Sequence, residues 1–231
     1  MNLFYQPAIA QGILHLDPDE SRHAVKVLRM QTGDTIELTD GHGFLYQAFI
    51  SEADPKKCSF TISEKKEIPP RNFNISIAVA PTKNIDRIEW FIEKAVEIGI
   101  DKIHLLLCKN SERKNVNLDR LTKIAVSAMK QSGQARLPYI SDMVPLKEIV
   151  TQEAAQKFIC YVDASNPEQL KSLAKPNQRY LVLIGPEGDF NKDEIQLATE
   201  HGFKKVSLGP NRLRTETAAL TACQILNFVN L

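Results

Sequence analysis

The sequence predicts an α/β domain with a largely parallel sheet over residues 71–231, preceded by a small β-barrel or curled sheet over residues 1–70. Three observations predict it. Short strand-like runs crowd the first seventy residues around a single helix signal. Pro69-Pro70 then breaks the chain within KKEIPPRN, a charged stretch that reads as a linker because neither proline can join a helix or a central strand. From Asn74 onward strands alternate with helices, which is the pattern of strands covered on both faces.

In order, Asp17-Pro18-Asp19-Glu20 supplies an N-cap, a proline at the first helical position and a capping-box Glu, so a helix is expected through SRHAVKVL. TIEL, the turn DGHG, FLYQAFI and CSFTIS follow as short strands with partial alternation. In the second part NISIAVA is a strand, IDRIEWFIEKAVEIG a helix with Ile85, Ile88, Ile92 and Ala95 inward, and KIHLLLC a strand. LDRLTKIAVSAMKQSG is a helix with Leu121, Ile124, Ala125 and Ala128 inward, and KFICYVD, YLVLI and KKVSL are further strands. NKDEIQLATEHG carries Asn191 as N-cap, Glu194 at N3 and Gly202 past its end. ETAALTA opens the last helix.

Composition narrows the function classes. A chain of 231 residues with 43% hydrophobic residues can bury a sizeable core, and a net charge of +1 gives no whole-molecule field for nucleic acid. Cys58, Cys108, Cys160 and Cys223 lie far apart, three of them in apolar runs, which favours buried thiols in a reducing compartment over disulfides or a metal site. The five histidines show no ligand spacing, so no metal is expected. MNLFYQPAIAQG lacks a basic segment followed by a long apolar run, and no stretch approaches the ~20 apolar residues that span a bilayer; a cytoplasmic protein without a membrane partner is expected.

Ligands of open α/β sheets collect beyond the carboxyl ends of strands. Two such ends run into Gly-Pro turns followed by capped helices, Gly185-Pro186-Glu187-Gly188-Asp189-Phe190 and Gly209-Pro210-Asn211-Arg212-Leu213-Arg214. Glycine allows close backbone approach and proline stiffens the next position, so the pair suits a small molecule held edge-on by backbone groups, or else forms ordinary turns. The phosphate loop GxxxxGK[ST] is absent, and Gly41-His42-Gly43 lacks the rest of a dinucleotide fingerprint.

Taken together, LIGPEGDF with DEI, LGPNRLRTETAALTA, EKAVEIGI, NSERKNVNLDRL, KQSGQARLPYI and HAVKVLRMQTGDTIELTDGHGFLYQAFI resemble, in order and over nearly the whole chain, the bacterial 16S ribosomal RNA uridine-N3 methyltransferases of the SPOUT superfamily. The resemblance implies a PUA-like barrel, an α/β domain with a trefoil knot, S-adenosylmethionine as methyl donor and a homodimer. It implies cofactor contacts from Leu183, Ile184, Gly185, Gly188, Leu208, Gly209, Asn211 and Leu213. Two departures stand out: Asn211-Arg212 replaces the family's usual Arg followed by an apolar residue, and Asp189 occupies a place where some members have glycine.

Methylation at uridine N3 calls for a group that stabilises the uracilate oxygens and one that takes the N3 proton. Arg214 is the candidate for the first, because its planar fork grips oxygen pairs; Glu187 and Glu216 are candidates for the second. Glu216 equally suits simple stabilisation of a helix start. For RNA, residues 102 to 136 hold eight Lys or Arg against two acids, a local charge of +6, including Arg113, Lys114, Lys130 and Arg136. Arg22, Lys26 and Arg29 fall at i, i+4 and i+7 of the first helix, on one face; Lys83, Arg87 and Arg212 complete the set. His23 beside that stripe reads as a partly buried core residue or a base-stacking one. The expected partner is 16S rRNA or the assembled small subunit, with another rRNA or tRNA nucleobase, or RNA binding without catalysis, as alternatives.

Overall fold

The computed structural model describes residues 3–161 and 168–231. It divides into two compact units, residues 1–70 with 126–137, and residues 71–125 with 138–231. No described helix is long and apolar enough to cross a membrane.

In the first unit β1 (Leu3–Tyr5), β2 (Thr35–Thr39), β3 (Phe44–Glu52) and β4 (Ser59–Glu67) form a sheet in that order. β1 runs parallel to β2 and the other pairs are antiparallel. Phe4, Leu16, Ile36, Leu38, Ile50 and Phe60 fill its core. Helix α1 (Pro18–Arg22) starts as expected, with the Asp17 carboxylate accepting from the amides of Asp19 and Glu20, but Glu20 turns instead to the Lys130 ammonium.

The expected basic face of this helix loses its third member, Arg29. Residues His23–Val27 make a π-turn, with the Leu28 amide donating to the His23 carbonyl, and the helix ends there, before Arg29. Arg29 lies beyond the helix in the left-handed region at φ 57°. His23 is exposed, its ring 6.2 Å from that of Phe4, rather than part of the core.

β4 extends through Glu67 into the stretch read as linker, because Lys65, Lys66 and Glu67 pair with the start of β3 and Lys65 sits 3.9 Å over the Phe44 ring. Residues 135–137 close this unit. The Ala135 carbonyl accepts from the Gly43 amide at 2.8 Å, Leu137 donates to Gly41, and the Arg136 guanidinium donates to the carbonyls of His42 and Ile68, both at 2.8 Å. A Cβ on Gly43 would run into the Arg136 guanidinium and displace it, and the φ of +108° there favours glycine in its own right.

In the second unit the elements are β5 (Asn74–Val79), α2 (Ile85–Ile98), β6 (Lys102–Leu107), α3 (Leu118–Gln131, whose end belongs to the first unit), β7 (Tyr139–Pro145), α4 (Leu146–Ile149), β8 (Gln156–Cys160), α5 (Leu170–Leu173), β9 (Arg179–Ile184), α6 (Lys192–Glu200), β10 (Lys204–Val206) and α7 (Thr215–Val229). The last two residues of the predicted strand KFICYVD lie outside the described residues. The sheet order is β10-β8-β9-β5-β6-β7, and every adjacent pair is parallel. α2 is capped by Asn84 and buries Ile88, Phe91, Ile92, Ala95 and Val96, while Ile85 is only half-buried. The Asn191–Glu194 capping box on α6 is present as expected.

Cys58, Cys108 and Cys223 are buried and Cys160 half-buried, all as free thiols. Burial pushes the Cys223 thiol up to about 12. His104 on β6 is buried with Nε2 unpartnered among the described residues; burial first, then the Lys102 charge, lowers its pKa to about 4.

Candidate active site

β9 ends at Ile184, where the Ala80 amide donates to the Ile184 carbonyl, and the chain turns through Gly185–Asp189, with the Asp189 amide closing on the Pro186 carbonyl at 2.9 Å. β10 leads into the second loop, where the Ser207 hydroxyl donates to the Gly209 carbonyl at 2.9 Å. Thr215 at the start of α7 ties the two loops together, its hydroxyl donating to the Gly185 carbonyl at 3.2 Å. Between them lies a cavity of about 770 Å³. Its walls include Ile184, Gly185, Leu208, Gly209, Asn211 and Leu213, together with Arg87, Cys160, Glu187, Asp189, Arg212 and Arg214. Those first six are residues expected at a cofactor. Leu183 is not among the walls: it is buried in the core between the sheet and its helices. Gly188 also faces elsewhere, since a Cβ there would meet the Asn110 Cβ at 3.3 Å.

Asn110 was not singled out in the sequence. Its side-chain amide donates to the carbonyls of Gly188 at 3.2 Å and Asp189 at 3.1 Å, holding the first Gly-Pro loop from the end of β6. A lone Asn after a strand reads as a turn, so no local signal distinguished it.

The charged groups divide by what they touch. Arg87 on α2 stands 3.5 Å from Glu187 and 3.9 Å from Glu216. The other Glu187 oxygen accepts from the Lys83 amide at 3.2 Å. Glu216 is buried in the first turn of α7, and its Oε2 has no partner among the described residues. Glu216, Arg87, Asp86, Trp90 and Thr217 line a smaller recess of about 320 Å³, so Arg87 is common to both hollows. Arg214 supplies the N-cap backbone of α7; its side chain is exposed at the cavity and makes no bond among the described residues. The same holds for Arg212.

Several expected RNA contacts are engaged within the protein. Lys130 is paired with Glu20, both half-buried, and Arg136 holds the barrel backbone. Arg113 donates to the carbonyls of Thr82 and Lys83, which fixes the loop before α2. Lys83 makes an exposed 3.4 Å pair with Glu112, and Arg22 a 3.5 Å pair with Asp19, contacts of little energy that RNA could replace. Lys26, Arg29 and Lys114 are exposed with no side-chain partner among the described residues. The described residues contain no cluster of side chains able to hold a metal.

Along the chain a small sheet unit is followed by a parallel sheet with a large cavity at its carboxyl end, the place where open α/β sheets bind ligands. Residues 69–227 match the RNA methyltransferase domain family and residues 16–63 the RNA methyltransferase PUA domain. The chain therefore belongs to the RNA methyltransferase family, and its α/β unit is of the SPOUT type. It is 30% identical to Ribosomal RNA small subunit methyltransferase E of Rickettsia conorii over 215 residues, 90% of this chain and 87% of that one. A crystal structure of a "probable rRNA-methyltransferase" from Porphyromonas gingivalis superposes with a TM-score of 0.93 at 43% identity, covering 100% of this chain and 98% of the other. Ribosomal RNA small subunit methyltransferase E from Neisseria gonorrhoeae, bound to S-adenosyl methionine, superposes with a TM-score of 0.87 at 26% identity, covering 100% and 98%.

Proposed function

We propose that this protein methylates N3 of a uridine in 16S ribosomal RNA, using S-adenosylmethionine, as a cytoplasmic homodimer. The observation that carries the reading is the cavity between the two Gly-Pro loops, with the unpartnered Arg214 on its wall and the Arg87–Glu187–Glu216 group beside it. The residues fit the donor. About 770 Å³ accommodates a nucleoside joined to an amino acid, Ile184, Leu208 and Leu213 offer apolar surface for adenine, and a Cβ on Gly209 would meet nothing within 4 Å, so there is open space beside it for a ligand.

When bound, S-adenosylmethionine supplies a methyl group already activated on a sulfonium. The protein's work is alignment and proton management. Arg214 and the start of α7, which no side chain caps, present positive charge to the uracil oxygens, which lowers the cost of ionising N3. Glu216 receives the N3 proton on its unpartnered Oε2, while Arg87 holds that side chain in place; Glu187, engaged at both oxygens, positions Arg87. Arg212, Lys83 and Lys114, with Lys26 and Arg29 of the first unit, contact RNA phosphates. The homodimer is supported by the packed pair α2 and α7, which leave Trp90 of α2 43% and Phe228 of α7 64% exposed. The trefoil knot belongs to the same reading.

The test is incubation of the purified protein with labelled S-adenosylmethionine and undermodified small subunits, followed by mass spectrometric mapping. Label on N3 of one 16S uridine is expected. Label confined to tRNA or another nucleobase replaces the substrate, and RNA binding without label overturns the catalytic reading.

A further inference from the structure

We propose that Asp189 is a cofactor-positioning residue: its carboxylate binds the α-ammonium at the amino-acid end of S-adenosylmethionine. This rests on the cavity being the donor site. Asp189 stands on the cavity wall with φ 62°, a left-handed backbone that disfavours any side chain except those of Asn and Asp, and that glycine would adopt without strain. Folding alone therefore favours glycine at this position. One carboxylate oxygen accepts from the Phe190 amide at 2.8 Å, which fixes the side chain; the other has no partner among the described residues.

The remaining charges on the wall assign the ligand group. Arg87 is held by Glu187 and Glu216, Arg212 and Arg214 serve the RNA in the reading above, and Glu187 is engaged by Arg87 and by the Lys83 amide. Asp189 is thus the acid on the wall with a free oxygen. A sulfonium has no N–H to donate and must face the methyl acceptor, whereas an ammonium carries three donors and matches a fixed carboxylate oxygen.

The measurement is calorimetric titration with S-adenosylmethionine, S-adenosylhomocysteine and 5′-methylthioadenosine, which lacks the amino-acid end, alongside thermal unfolding of the ligand-free protein. D189N keeps the oxygen that caps Phe190 and tolerates the backbone but removes the charge. It is expected to weaken both amino-acid-bearing ligands about tenfold, leave 5′-methylthioadenosine within twofold and leave the melting temperature unchanged. D189G is expected to melt higher while losing the same ligand affinity. Unchanged affinity of D189N for S-adenosylmethionine, or equal weakening of all three ligands, overturns the assignment. Failure of the unaltered protein to bind any of the three overturns the donor site itself, and this role with it.

Discussion

Replacing Asn110 by alanine tests whether the first Gly-Pro loop must be held in place for the cavity to work. The substitution removes the two side-chain hydrogen bonds to the Gly188 and Asp189 carbonyls, at 3.2 and 3.1 Å, yet keeps the Cβ against which Gly188 packs. Each bond contributes roughly 0.5–1.5 kcal/mol, and because both come from one exposed amide the pair is worth about 1–2 kcal/mol. For a chain of this length that lowers the melting temperature by roughly 2–8 °C. If binding needs the loop ordered, the same energy is drawn from affinity, and the dissociation constant for S-adenosylmethionine rises by about 5–30-fold. Differential scanning fluorimetry and isothermal titration read the two quantities on one preparation. A melting temperature that falls as stated beside a dissociation constant within twofold of the original would refute the reasoning, for it would make the clamp a matter of folding alone.

Arg214→Ala is expected to lower kcat at least 100-fold while donor affinity stays within threefold, since its guanidinium meets the substrate; equal losses in both would make it scaffold. Glu216→Gln is expected to reduce methylation more than Glu187→Gln, measured as single-turnover rates on small subunits, and the reverse order would move the proton to Glu187. Gly43→Ala drives a methyl into the Arg136 guanidinium and is expected to cost about 3 kcal/mol, seen as a lowered urea midpoint; a midpoint unchanged from the parent contradicts the tight approach. His104 has a folded pKa of about 4 against 6.5 in the open chain, so the unfolded state binds the extra proton and stability is lost as pH falls from 6.5 towards 4. The full shift corresponds to about 3 kcal/mol, less after solvent relaxation. Urea unfolding at pH 7.5 and pH 5 should therefore show the parent losing at least about 1 kcal/mol more than His104→Leu, and parallel losses would exclude His104 as the source.

Features written in adjacent residues were legible. The Gly-Pro pairs at the ends of β9 and β10 spell their turns locally, and the Asn191–Glu194 box on α6 is complete within four residues. Features made by distant pairing were not. β1 has three residues and exists because it pairs with residues 37–39, and β7 carries no clear alternation and ends on Pro145. Arg29 drops out of the stripe with Arg22 and Lys26 because the helix stops at Val27 in a π-turn that no residue type announces, and Lys130 and Arg136 looked free because Glu20 and the Ile68 carbonyl lie far away in sequence. Asn110 joins the site across 78 residues, a distance no local pattern spans.

The closure of the small sheet by Ala135, Arg136 and Leu137 has a consequence for synthesis. A ribosome that has delivered the first seventy residues has not yet made the pieces that satisfy Gly41, Gly43 and Ile68, so the leading unit waits, unfinished, for a segment made long after it. Maturation of the chain's first half is in this way timed by its middle.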